Sequence, residues 1–442
     1  MVRTFRYGGI MSSYKRRPTP GDTEWFVLDR FGMFIHFGLY SLASRHEWVM
    51  SYERISPEEY KKYFDHFDPD LFDAKEWAKK AKAAGMKYAI LTTKHHEGFC
   101  LFDTQYTDYK ITNTAFGRDL VREFVDAFRA EGIRVGFYYS LLDWHHPEFT
   151  IDCHHPLRDR PDAEELSRPR DMKKYAAYMR DQVRELLTNY GKIDILWFDF
   201  SYPEGATPPD KPWMLGKGKN EWESEKLISL ARELQPGIII DNRADLEQDV
   251  WTPEQLQVDE WQRHPETGEL VTWEACHTFS GSWGYYRDEL TWKSPEQLVA
   301  MLVKTVSLGG NLLMNVGPTG RGTFDHRADA ALQVYSDWMR LNSRSIYGCT
   351  MAEPEFTAPN GCRLTQSVDG KRLYVHLLEY PFQTLQMDCL VGKIEYAQFL
   401  HDASEVKFME TVQVVGDKVN NTFMLPVVKP NSIIPVIEIF LK

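Results

Sequence analysis

Between about residues 30 and 340 the chain alternates short apolar runs with longer segments of helical spacing, and this alternation constrains the fold more than any other feature. GMFIHFG (32–38), KYAILTTKH (87–95), RVGFYYSLL (134–142), DILWFDF (194–200), IIIDNR (238–243), VTWEAC (271–276) and NLLMNVGP (311–318) read as strands. AKEWAKKAKAAG (74–85), RDLVREFVDAFRAEG (118–132), MKKYAAYMRDQVRELLTNYG (172–191) and NEWESEKLISLARELQPG (220–237) read as helices, several stopped by glycine; SPEQLVAMLVKTVSLGG (294–310) opens with a capping box, Ser294 and Gln297. Strands that are apolar throughout and separated by helices are the pattern of a parallel sheet covered on both faces.

Two architectures share that pattern, and the polar residues choose between them. His36, His95, His96, Tyr139, Asp199, Asp241, Asn242, Arg243, Glu274 and Asn315 fall at or near the C-terminal ends of successive strands. A (β/α)8-like, TIM-type barrel gathers those ends around one pocket. A doubly wound sheet spreads them along a line and carries a Gly-rich phosphate loop after its first strand, which is absent here. After Tyr347 the texture changes to short, alternating, turn-punctuated runs, which predict a C-terminal antiparallel β-sandwich. The expected organisation is a catalytic barrel over 1–345 followed by a sandwich over 346–442.

The bulk numbers exclude partners rather than name them. A net charge of −12 over 442 residues, with no long basic stripe, argues against nucleic acid and anionic membrane. The six cysteines form no C-x-x-C pair, so no zinc knuckle or thioredoxin motif is indicated, and scattered thiols suit a reducing compartment. The N-terminus lacks the apolar core of a secretory signal and no window approaches a transmembrane span, so the expected location is cytoplasmic. Met11 offers an alternative start.

Several side-chain sets carry chemistry. Asp199, ending ILWFDF, is costly to bury unless hydrogen bonded or employed: either a structural carboxylate or the nucleophile or base of a barrel mouth. His36 and the His95-His96 pair offer a donor and an acceptor each, which suits sugar hydroxyls; a metal site or satisfied core histidines are the alternatives. The loop DWHHPEFTIDCHHP (143–156) holds four histidines at a spacing no common zinc site uses, and reads as a substrate-rimming loop. Asp241, Glu260 and Glu274 supply candidate partners for Asp199, because glycoside hydrolysis needs two carboxyls. SLGGNLLMNVGPTGRG (307–322) lacks the Gly-Lys-Ser/Thr of a P-loop.

Together, FGMFIHFGLYS, EWVM, KYAILTTKHHEGFCLFDT, RVGFYYSLLDWHHPEF, ILWFDF, DNR, WEACHTFSGSWGY and LVKTVSLGGNLLMNVGPTGRG resemble the α-L-fucosidases of glycoside hydrolase family 29. The resemblance implies a barrel followed by a β-sandwich, and metal-independent, cofactor-free, retaining hydrolysis of terminal α-L-fucosides on oligosaccharides or glycoconjugates, with transfucosylation as a variant. By the same resemblance Asp199 matches the nucleophile. His36, Glu47, Trp48, His95, His96, Tyr139 and Trp197 match residues lining the fucose pocket, and Arg243 an arginine on the nucleophile side. Glu97 is expected only to brace its turn. The acid/base varies within the family: Glu260 is the first choice, with Asp241 and Glu274 as rivals. Relatives are often multimers, so a homo-oligomer stays open. A catalytically silent fucose-binding module and a metal-dependent hydrolase are the competing functions; turnover and resistance to chelation separate them.

Overall fold

The computed structural model describes residues 14–203, 207–412 and 419–442; Met11 and the expectation of an alternative start lie outside them. Seven parallel strands form one curled sheet in the order β5-β4-β3-β2-β1-β7-β6. They are β1 (Phe31–Ile35), β2 (Tyr88–Lys94), β3 (Arg134–Ser140), β4 (Ile195–Asp199), β5 (Ile239–Ile240), β6 (Glu274–Thr278) and β7 (Asn311–Val316).

Among the described residues there is no eighth ladder strand. The edges β5 and β6 are instead spanned by an irregular extended stretch, 249–255. Its bridges run Asp241 to Val250, Trp251 to Trp273 and Glu254 to Cys276. Pro253 explains the irregularity, since it has no N–H to give to a ladder; its carbonyl still accepts from Cys276 N at 3.2 Å. The expected strand at 271–276 begins only at Glu274, and IIIDNR contributes two ladder residues.

The helices follow their sequence signals. Asp73 caps Ala74–Ala83 by accepting from Lys75 N and Glu76 N, and Asp119 caps Leu120–Ala130 by accepting from Arg122 N. The second helix buries Leu120, Val121, Phe124, Val125 and Phe128 along one stripe. The expected 220–237 helix is broken into Lys219–Trp222 and Ser224–Leu234 by Glu223, whose φ of 49° is left-handed. No helix among the described residues is long and apolar enough to cross a membrane, and all six cysteines are free thiols.

Strand parity divides the core. Met33, Ile35, Leu91, Val135, Phe137 and Leu196 pack outward with the helices, whereas Phe34, Tyr88, Ile90, Tyr138, Ile195, Trp197 and Leu313 form a separate cluster on the inner face. A Cβ on Gly32 would sit 2.2 Å from the Tyr88 ring, so glycine there lets that ring cross the interior.

Beyond Cys349 the chain forms two antiparallel sheets, ordered β12-β15-β10-β9-β8 and β11-β14-β13. These are β8 (Cys349–Met351), β9 (Cys362–Ser367), β10 (Arg372–Leu377), β11 (Thr384–Met387), β12 (Ile394–Phe399), β13 (Phe408–Val412), β14 (Val419–Met424) and β15 (Val436–Leu441). One apolar cluster joins them, with Leu364, Val375, Ala397 and Ile439 from the larger sheet and Leu385, Met387 and Phe423 from the smaller.

Candidate active site

The C-terminal ends of the parallel strands line a small cavity, about 360 Å3 with the open solvent at its mouth included. The strands supply inner-face residues at one parity: Phe34 and His36 from β1 and its exit, Tyr138 from β3, Trp197 and Asp199 from β4. Glu47, Trp48, His95, His96, Phe200, Arg243, Glu254, Cys276 and Trp283 complete the lining.

Asp199 is buried at the end of β4 and held by three groups. Tyr138 donates its hydroxyl to Oδ2 at 2.8 Å, and Arg243 Nη1 reaches Oδ1 at 3.0 Å. His96 Nε2 lies 3.8 Å from Oδ2. Burial pushes this carboxyl above its ordinary range, against the pull of Arg243 and with the Glu254 charge adding to the rise. Phe200, the next residue, has φ 85°, a strained conformation for a bulky side chain. Its ring is pinned between Trp48 and His154 at centroid distances of 5.1 and 5.0 Å.

Arg243 is the hub. The same Nη1 donates to Glu254 Oε2 at 2.7 Å, Nε donates to Thr252 Oγ1 at 2.8 Å, and the guanidinium lies over Trp197 at 4.5 Å. Burial opposes its charge, yet the Asp199 carboxylate holds its pKa above the ordinary value. Because Asp199 Oδ1 and Glu254 Oε2 share one donor, they are no farther apart than those two bonds laid end to end.

The histidines form one polar wall. Regular pairing of β2 with β3 breaks between Thr92 and Lys94, and the strand stops there. This lets two adjacent imidazoles face the same cavity, with ring centroids 4.0 Å apart. Burial drives the pKa of both well below the usual histidine range, and brings His36 to about 3. All three are neutral near pH 7, each able to donate one hydrogen bond and accept another. Among the described residues, no group of three or more His, Cys, Asp or Glu is arranged to hold a metal ion.

The comparisons with known proteins agree in one direction. A family model described as alpha-L-fucosidase matches residues 4–344. The chain belongs to the α-L-fucosidase family. It is thereby a glycoside hydrolase, similar to an α-L-fucosidase of Dictyostelium discoideum, 26% identical across 100% of this chain and 96% of the relative. Human plasma α-L-fucosidase is 29% identical across 85% of this chain and 79% of its own length. Among solved structures, α-L-fucosidase isoenzyme 1 from Paenibacillus thiaminolyticus superposes with a TM-score of 0.86 at 43% identity, covering 95% of this chain and 98% of the other. A Bacteroides thetaiotaomicron α-L-fucosidase, solved as a trapped covalent intermediate with 2-fluoro-fucosyl fluoride, gives 0.81 at 26%, covering 98% and 99%.

Measured against the α-L-fucosidase pattern, the fold gathers His36, Glu47, Trp48, His95, His96, Trp197, Asp199 and Arg243 around one cavity. Glu47 Oε2 accepts from Trp283 N at 3.2 Å and Gly284 N at 2.9 Å, anchoring the loop after β6. Tyr139 does not line the cavity. Its parity turns it outward, where its hydroxyl donates to Gln182 at 2.8 Å, and Tyr138 takes the inner position.

The three carboxylates expected as partners of Asp199 all lie off the cavity lining. Glu260 is exposed on the long connection to β6. Asp241 is buried behind β4, with Oδ1 accepting from Phe198 N at 3.0 Å. Glu274 is buried on the inner face and bonded by the Tyr88 hydroxyl. Glu254 was missed because it sits outside any regular strand; the extended Val250-Trp251-Thr252 run ending at Pro253 is the signal that could have found it.

Glu97 braces its turn, accepting from Leu39 N at 2.9 Å and Tyr60 at 2.7 Å. In the 143–156 loop, Asp143 pairs with Lys94 at 3.2 Å and Asp152 with Lys217, both pairs buried. His154 packs on Phe200 at the rim.

Burial raises Glu274 from 4.5 to about 8, and Glu97 equally. The unfolded chain ionises these groups near 4.5, whereas the fold keeps them protonated to about 8, so the stability these two groups contribute is lost as pH rises through that window. Glu274→Gln removes one such group. Melting curves across the window are expected to show a shallower fall for the variant than for the parent; an equal slope rejects the assignment.

Proposed function

We propose that the chain hydrolyses terminal α-linked L-fucosides with retention of configuration, with Asp199 as nucleophile and Glu254 as acid/base. The observation that carries this reading is the single Arg243 Nη1 shared by Asp199 at 3.0 Å and Glu254 at 2.7 Å. It brings a buried carboxylate and a carboxyl whose side chain is 41% exposed to the same cavity, where the two can flank one glycosidic bond. The buried one suits attack on the anomeric carbon, and the accessible one suits proton exchange with a leaving group and with water.

In the first step an Asp199 oxygen bonds to the anomeric carbon and the glycosidic C–O bond breaks. Its electron pair goes to the leaving oxygen, which takes the Glu254 proton. In the second step Glu254 removes a proton from water, the water oxygen bonds to the anomeric carbon, and the fucosyl–Asp199 ester bond breaks to restore the carboxylate. Arg243 and the Tyr138 hydroxyl hold Asp199 for attack and stabilise it as it leaves. An acceptor hydroxyl in place of water gives transfer to a second sugar. His36, His95 and His96 bind ring hydroxyls, while Phe34 and Trp197 offer the apolar wall that a 6-deoxy sugar needs.

Time-resolved proton NMR of aryl α-L-fucoside hydrolysis tests the stereochemistry. The first fucose signal is expected from the α anomer, with the β anomer growing in by mutarotation. Addition of methanol is expected to yield methyl α-L-fucoside. A first-formed β anomer would refute retention.

A further inference from the structure

His36 and His96 both place an imidazole against the cavity, and each has its Nδ1 held by a neighbouring side chain. His36 Nδ1 lies 2.6 Å from Asn315 Oδ1. The other end of that amide, Nδ2, donates to the Trp283 carbonyl at 2.6 Å. A carbonyl only accepts, so the amide nitrogen must face Trp283 and the amide oxygen must face His36. The ring nitrogen bonded to that oxygen must therefore carry the proton. Burial keeps the ring neutral, and a neutral imidazole has one N–H, so Nε2 is left with a lone pair. His96 is fixed by a different partner: the one Ser140 hydroxyl proton goes to the Leu142 carbonyl at 2.9 Å, so its oxygen accepts from His96 Nδ1 at 2.6 Å.

The Asn315 orientation is itself secured. β1 and β7 pair with Phe34 opposite Asn315, and His36 N donates to the Val316 carbonyl at 3.0 Å. The peptide that follows Trp283 is held from its other side, where Gly284 N donates to Glu47 at 2.9 Å. A Cβ on Gly317 would lie 2.8 Å from the Trp283 carbonyl oxygen, so glycine lets the loop approach the strand.

We infer that Asn315 is a positioning residue that fixes His36 as an obligate hydrogen-bond acceptor, so that the sugar must present a hydroxyl that donates at that point. This rests on the fucoside reading of the cavity and adds a polarity to it. Fluorine accepts weakly and cannot donate, so it cannot replace that hydroxyl. Without the amide, an Nδ1–H would be buried with no acceptor, which is costly. The proton then moves to Nε2, and His36 becomes a donor.

The test measures competitive inhibition of aryl fucoside hydrolysis by L-fucose and by its 2-, 3- and 4-monodeoxy and monodeoxyfluoro forms. Free sugars report binding without altering the reacting bond. In the parent protein, at the ring position that meets His36, the deoxy and deoxyfluoro sugars are expected to bind equally, each roughly tenfold weaker than L-fucose. In Asn315→Leu the deoxyfluoro sugar at that same position is expected to bind roughly threefold tighter than the deoxy one, with the ratios at the other positions unchanged. A merely structural role for Asn315 would shift all the sugars together and leave the ratio alone. Long-range proton–nitrogen NMR of the histidine-labelled parent is expected to show His36 protonated at Nδ1 and bare at Nε2, a readout that stands even if the variant does not fold. Protonation at Nε2 in the parent, fluorine restoring affinity at every position, or a uniform shift in Asn315→Leu would each overturn the inference. Failure of L-fucose to inhibit at all, with no turnover of the aryl fucoside, would overturn the proposed function and this inference with it.

Discussion

Replacing Asp199 with Asn is expected to lower kcat for an aryl α-L-fucoside by ~10^4-fold or more while leaving the protein folded. Asn fills the same volume and still offers Oδ1 to the Tyr138 hydroxyl that now bonds Asp199 at 2.8 Å. It cannot form the ester, and it withdraws the negative charge that Arg243 faces at 3.0 Å. Shortening the side chain in Asp199→Gly should open room for azide, which attacks the anomeric carbon directly and gives β-fucosyl azide. A variant that keeps parental turnover, or one that yields the α azide, removes Asp199 from the nucleophile role. The raised pKa of this carboxyl adds a pH consequence, because only its ionised form attacks. The acidic limb of the parental kcat/KM profile should therefore lie above the position an ordinary aspartate, near 3.8, would give.

Glu254→Ala is expected to act selectively. Fucosides with poor leaving groups, such as a second sugar, need the proton, and should lose ~10^2–10^4-fold in kcat/KM. Aryl fucosides with strongly acidic leaving groups should form the ester almost as fast as before and then accumulate it, since no base activates water. Azide needs no base, so it should restore turnover and give α-fucosyl azide, the outcome of attack on the Asp199 ester. Glu260→Ala is the control: exposed and outside the cavity lining, it should behave as the parent. Should the leaving-group dependence and azide rescue follow Glu260 instead, the assignment of Glu254 fails.

How far the site could be read beforehand depended on whether each residue sat in a periodic element. Asp199 and His36 were legible because each ends an apolar run, and a carboxylate or imidazole there has few places to go but the sheet's C-terminal edge. The His95-His96 pair was legible as a polar patch. Its geometry was not, because two neighbours face one way only where the ladder slips at Thr92 and Lys94. Tyr138 and Tyr139 are chemically identical, and a one-residue shift in parity moves a side chain to the opposite face. The cross-strand register Tyr138–Trp197 and Ser140–Asp199 decides it, and no local property of RVGFYYSLL encodes that register.

The sequence by itself determined the parallel βα alternation, the capped helix start at Ser294, the change of texture after Tyr347, and the aspartate that ends ILWFDF. All of these are local, since hydrophobic period, caps and turn residues act over a few positions. Only the tertiary structure decided which carboxyl meets Asp199. The candidates span 241–274, through the one part of the parallel sheet with no regular strand, and the selection is made there by long-range bonds: Arg243 to Thr252 and the 249–255 stretch to β5 and β6. Contacts of that kind depend on how edge strands are brought together in space, which no periodicity along the chain specifies.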